Sequence, residues 1–175
     1  MKKVFTVSFL ALLVALTPLA AQTAATTGTA SPQGNVAIGP IYSVNFLGLD
    51  SPLQGLGITG KIPGLAPVFG LNFSLSPKEN RYFFGLTGDW LLYKQPLYEP
   101  FNINFYLGPG FYVSSLIASN GRFDLGLRIP VGVNWVPLKF FEAFFEVTPA
   151  FGITFQDPIA PSWLFQSALG ARVWF

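Results

Sequence analysis

The chain has 175 residues, of which 51% are hydrophobic, 17% aromatic and only 10% charged, with 10 Lys+Arg against 8 Asp+Glu and neither cysteine nor histidine. The missing Cys and His exclude Ser–His–Asp and Cys–His nucleophile systems, Cys/His zinc sites, thiol redox chemistry and a disulfide framework. Lys2 and Lys3 lie in the export segment described next, and without them basic and acidic residues balance, so no nucleic-acid or anionic partner is indicated.

Met1-Lys2-Lys3 is followed by an apolar run from Val4 to Leu16, then Pro18 and the small-residue stretch Leu19-Ala20-Ala21. A basic start, a core of about 13 residues and a small-residue cleavage site predict a cleaved signal peptide over 1–21. The run is shorter than the roughly 20 residues a spanning helix needs. Residues 22–34, rich in Ala, Thr, Gly and Ser, are predicted to be a disordered linker. The domain is then 35–175. An apolar, exported domain without helix-length apolar runs has one membrane solution, the closed β-barrel.

Strand periodicity recurs along the domain. Residues 36–46 set Val36, Ile38, Tyr42, Val44 and Phe46 against Ala37, Gly39, Ser43 and Asn45. Residues 53–62 are glycine-rich and alternate weakly; they are assigned as the second strand because an up-and-down barrel needs an even number. Further strands are predicted at 67–75, 82–93, 101–113, 123–135, 141–155 and 165–175, each with large apolar residues on one face and Gly, Ala, Ser, Asn or Thr on the other. The fold class is all-β, an eight-stranded antiparallel up-and-down transmembrane barrel. A soluble lipocalin-like barrel would need the opposite polarity, with a charged exterior and large apolar residues inside.

Counting back from the last strand places 156–162, 114–122 and 76–80 outside the membrane and 136–140 and 94–100 in the periplasm. Tyr93, Phe101, Trp135, Phe141 and Trp174 then fall near the periplasmic interface, and Tyr82, Tyr112, Phe155 and Trp163 near the outer one, as two aromatic belts. Pro40, Pro109, Pro130 and Pro149 sit inside strands, where each removes a ladder donor and signals a bulge.

The small-residue face carries Asp89, Asp124, Arg128, Glu142, Glu146 and Arg172. Charges confined to a narrow lumen must pair. Turns centred near 159 and 138 put Glu146 opposite Arg172 and close to the position opposite Arg128, so Glu146 is predicted between two arginines. Catalytic, cofactor and metal sites are not expected: Gly55-Leu56-Gly57 and Gly85-Leu86-Thr87-Gly88 lack the strand-to-helix setting of a nucleotide loop.

Residues 165–175 alternate Phe165, Leu169, Ala171, Val173 and Phe175 against Gln166, Ala168, Gly170 and Arg172 and close on an aromatic. This strand resembles the terminal recognition strand of bacterial outer-membrane barrels, with Leu169, Ala171, Val173 and Phe175 as the assembly signal. The chain as a whole resembles the small OmpA/OmpX-type barrels. Its segments 128–138 and 142–152 also look like uncharacterised OmpA-like barrels of diderm bacteria. The resemblance implies outer-membrane lipid, periplasmic chaperones and the barrel-assembly machinery as partners, and a lumen filled by charge pairs. The peptidoglycan-binding domain of full OmpA proteins is expected to be absent, since nothing follows Phe175. The resemblance brings no catalytic residues: barrel enzymes of similar size, the lipid-A-modifying enzymes and omptin-type proteases, use histidines this chain lacks. The expected role is non-enzymatic, structural or in surface interaction with an unidentified ligand. A narrow conduit for small or apolar solutes and a periplasmic lipocalin-like binder are the alternatives.

Overall fold

A computed structural model describes residues 34–47, 52–76, 81–118 and 121–175. The predicted signal peptide, and the linker up to residue 33, lie outside the described residues. The strand segments are β1 (Ala37–Leu47), β2 (Leu53–Lys61), β3 (Val68–Ser76), β4 (Arg81–Asp89), β5 (Tyr93–Tyr98), β6 (Ile103–Leu107), β7 (Gly110–Ile117), β8 (Arg122–Arg128), β9 (Val131–Leu138), β10 (Phe141–Phe155) and β11 (Ala160–Trp174). All 11 belong to one antiparallel sheet, which closes because β11 pairs with both β10 and β1.

Three of the barrel walls are broken once. β4 pairs with β7 while its continuation β5 pairs with β6. Likewise β10 pairs with β9 along its first half and with β8 along its second. Joining β4 to β5, β6 to β7 and β8 to β9 turns the 11 segments into an eight-stranded up-and-down barrel. Residues 53–62, weak in alternation, do supply the second strand: β2 pairs with β1 from Asn45↔Leu53 to Ala37↔Lys61 and with β3 from Gly55↔Ser74 to Lys61↔Val68. Its pattern is faint because inward positions 55 and 57 are glycine. A Cβ on Gly57 would run into the carbonyl of Leu71 and stand 3.0 Å from Asn72 Cα.

The breaks follow the prolines, which have no N–H for the ladder. They lie side by side on neighbouring strands and are tied across: Trp90 N–H donates to Pro109 O (2.9 Å), Gly108 N–H to Pro130 O (3.3 Å) and Ile129 N–H to Pro149 O (3.0 Å). Pro40 interrupts only the β1–β11 side, and the register is the same before it (Ile38↔Val173) and after it (Ile41↔Gly170). The register is also kept across Pro130 and Pro149 (Val147↔Val131 and Ala150↔Arg128), whereas at Pro109 it slips by one residue, from Asp89↔Gly110 to Tyr93↔Leu107, as a bulge does.

Strands run further than their apolar alternation suggested. β7 continues through Ser114 and Ser115 to Ile117, β5 reaches Tyr98 and β9 reaches Leu138. The connections at the end carrying 48–52, 77–80, 118–121 and 156–159 (the loop end) are therefore short. Both the start of β1 and the end of β11 lie at the opposite, terminal end, where Asn35 N–H and Val36 N–H donate to Phe175 O.

Outward positions are large and apolar: Leu56, Leu127, Phe145, Phe151 and Leu169 are exposed, Leu127 to 72%. Inward positions are largely polar and buried, among them Ser43, Asn45, Thr59, Asn72 and Thr148. This inverts a soluble protein and matches a barrel seated in lipid. Among the described residues no helix is long and apolar enough to cross a membrane.

Candidate functional site: the barrel lumen

The period of two aims Asp89, Asp124, Arg128, Glu142, Glu146 and Arg172 inward, where all six are buried. They form three groups along the axis. In the middle, Arg128 is the hub. Its Nη2 lies 3.0 Å from Glu146 Oε1 and donates to Thr148 Oγ1 at 3.3 Å, and its Nη1 donates to Gln166 Oε1 at 3.0 Å. Its Nε stands 3.0 Å from Asp89 Oδ1, off the N–H axis, so this contact is ionic rather than directed. Tyr106 Oη donates to the other Glu146 oxygen at 3.0 Å. Gln166 Nε2 donates to Asn45 Oδ1 at 2.6 Å, and Asn45 Nδ2 to Ser43 and Ser74, which carries the network across to β1 and β3.

Toward the terminal end, Glu142 accepts from Asn134 Nδ2 (2.6 Å), Trp174 Nε1 (3.0 Å) and Arg172 Nη1 (3.4 Å). Arg172 also donates from Nε to Thr59 Oγ1 at 3.1 Å, and its guanidinium lies 3.9 Å from the centre of the Phe144 ring. Toward the loop end, Asp124 accepts from Thr154 and lies 3.3 Å from Arg122 Nε. Arg122, expected in the 114–122 loop, joins this group because β8 starts at Arg122, one residue earlier than the alternation predicts.

Glu146 does not lie between two arginines. The β10–β11 register pairs Glu142 with Arg172 and Glu146 with Ala168. The reason is local: Ala160, Pro161 and Ser162 belong to β11 rather than to the loop, which moves the hairpin centre toward the start of the chain and slides Arg172 by four residues relative to β10.

The lumen is less polar than the small-residue pattern suggested. Leu53, Phe83, Tyr112, Leu116, Ala150 and Leu164 pack together inside the loop end. Ile41, Tyr106, Phe144 and Ala168 pack lower down. Large rings fit because glycine stands opposite: a Cβ on Gly132 would stand 2.6 Å from Tyr106 Cζ and Oη, and one on Gly126 2.7 Å from the Tyr112 ring. Two residues assigned to the aromatic belts therefore leave them. Tyr112 is buried and hydrogen-bonded to Ser162 Oγ at 3.1 Å, and Trp174 turns inward onto Glu142. Both have the parity of the lumen face, Tyr112 with Gly110 and Ser114, Trp174 with Arg172. Tyr82, Tyr93, Phe101, Trp135, Phe155 and Trp163 are exposed on the outside.

Below Glu142 a cavity of about 240 Å³ opens at the terminal end, bordered by Lys61, Lys94, Glu142, Arg172 and Trp174. On the other side of the Arg128 layer a pocket of about 10 Å³ lies beside Phe83 and Tyr112. Among the described residues no His, Cys, Asp and Glu are grouped closely enough to hold a metal ion.

This fold recurs among solved structures. Neisserial surface protein A (NspA) is 12% identical and superposes with a TM-score of 0.56 over 80% of this chain and 96% of its own. The chain has the fold of the small eight-stranded outer-membrane barrels. The N-terminal β-barrel domain of Pseudomonas aeruginosa OprF (12% identity, TM-score 0.49, 80% and 99% covered) and Ail, the attachment invasion locus protein of Yersinia pestis (11%, 0.33, 78% and 95%), are more distant matches. No protein-family model and no curated protein matches the sequence.

Proposed function

We propose that this is a non-enzymatic integral outer-membrane protein with a structural or surface-interaction role, its loop end outside and its terminal end toward the periplasm. The observation that carries this reading is the Arg128 layer. Arg128, Glu146, Gln166 and Asn45 are each at most 5% exposed and are bonded to one another across the barrel. An eight-stranded barrel has an interior just wide enough for side chains to fill, and here they fill it. A conduit for solutes is therefore the weaker reading. The apolar exterior argues against a soluble lipocalin-like binder. In this reading the partners are lipid around the wall, periplasmic chaperones, and the assembly machinery that reads Leu169, Ala171, Val173 and Phe175. A surface ligand would meet the four short loops at 48–52, 77–80, 118–121 and 156–159.

The test is gel mobility with and without boiling, followed by planar-bilayer recording of the folded protein. A shift on heating with no steady unitary current is the expected result. Steady, reproducible steps would replace the structural reading with a transport one.

A further inference from the structure

The sheet keeps one free edge, beside the terminal-end cavity. Among the described residues every strand segment is paired on both sides except β5, which is bonded to β6 alone. Its other neighbour would be β3, but the β3–β4 ladder stops at Val68↔Asp89, and no backbone hydrogen bond links 62–67 with 90–98. Ala66 and Val68 on one side of this gap, and Leu91 and Lys94 on the other, line the cavity. A row of unpaired backbone N–H and C=O groups is a template for another strand, and at the rim of a membrane barrel it is costly because lipid offers no partner.

Only an extended main chain matches such an edge. A second copy does not fit it. Two barrels inserted the same way round are related by an axis along the membrane normal, so their facing strands, each tilted by about 35–45°, cross instead of running side by side. The chain's own residues 22–33 do fit. They join the wall at Gly34, which lines the same cavity. Extended, they reach about 40 Å, ample to cross an interior just wide enough for side chains. Thr23, Thr26, Thr27 and Thr29 favour an extended backbone, and the whole stretch is uncharged, so it brings no ion that needs a partner beside the cavity. We propose that residues 22–33 add to β5 as an extra strand and close the gap, a role beyond the linker that their composition suggests.

The experiment is amide hydrogen exchange on the folded barrel in detergent, with the β10 amides as the internal reference. The β5 amides that do not bond to β6 should be protected in the unmodified protein. The Thr26→Pro/Thr27→Pro double variant removes two successive donors, one of which must point at β5 whatever the register. Those β5 amides should then exchange about tenfold faster or more, with β10 unchanged. Adding a synthetic peptide of residues 22–33 to the variant should restore the protection saturably. Loop-like exchange of these amides in the unmodified protein, or full protection in the double variant without peptide, would each overturn the proposal. Protection in the variant that rises with protein concentration would assign the edge to a second copy and also overturn it. The heat-induced gel shift reports whether the variant barrel has closed; if it has not, exchange of the β5 amides in the unmodified protein decides alone.

Discussion

Arg128 and Glu146 touch at 3.0 Å, yet they are not cross-strand partners. Ala150 stands opposite Arg128, and Gly132 stands opposite Glu146. The guanidinium instead runs along the inside of β10, past Thr148, to reach the carboxylate four residues away from its own register position. Its length lets one residue join Asp89 on β4, Glu146 and Thr148 on β10, and Gln166 on β11.

The hub should therefore be far less replaceable than any one of its partners. Arg128→Leu strands Asp89 and Glu146 as buried, unpaired carboxylates and should destabilise the barrel by about 3–5 kcal/mol. Glu146→Gln leaves Arg128 its contacts to Asp89, Gln166 and Thr148, and should cost about 1–3 kcal/mol. Urea unfolding from lipid vesicles measures both; equal losses would mean that Arg128 is not the centre of the network.

Gly132 is held to glycine by Tyr106. A methyl group there would stand 2.6 Å from the ring Oη and from the Phe145 carbonyl. The ring would have to shift, putting its hydrogen bond to Glu146 at risk. Gly132→Ala should destabilise by about 1–3 kcal/mol. Near-native stability in the same unfolding titration would show that the ring has room to give.

Leu169 lies near the middle of β11 on the outer face and is 58% exposed. If that face meets lipid, Leu169→Arg should cost about 2–4 kcal/mol when the barrel folds into vesicles. On a water-facing surface the same change would stay within about 0.5 kcal/mol. This single substitution separates a membrane barrel from a soluble one.

The proline breaks should be closed to solvent. Trp90 and Ile129 donate across them at 2.9 and 3.0 Å, as ladder amides do. Their amide hydrogens should exchange as slowly as those of β10 in the detergent-bound protein, with the Gly108 amide, at 3.3 Å, somewhat faster. Exchange at loop-like rates would show that the wall opens at these breaks.

Much of this architecture was legible in the sequence, because a barrel wall enforces a strict period of two. Large residues such as Leu127, Phe145 and Leu169 could only face one way, and the charged set from Asp89 to Arg172 only the other. That parity also carried Trp174 and Tyr112 inward, once their neighbours rather than their aromatic character are used to place them. The even strand count led to β2 despite its faint alternation.

Partner choice was not legible. Parity is a property of one strand, whereas pairing depends on register, which is set by turn length and by which flanking residues join the ladder. Counting Ala160, Pro161 and Ser162 as loop was enough to give Arg172 the wrong carboxylate. The terminal-end cavity lies still further from the sequence. Lys61, Lys94 and Trp174 belong to three separate strands or their ends, and only closure of the sheet brings them around one cavity. The sequence by itself determined which side of the wall each residue faces, since that needs only the alternation of Cβ directions along a strand. The tertiary structure alone decided which of them meet, because that depends on how eight strands are staggered when the sheet closes on itself.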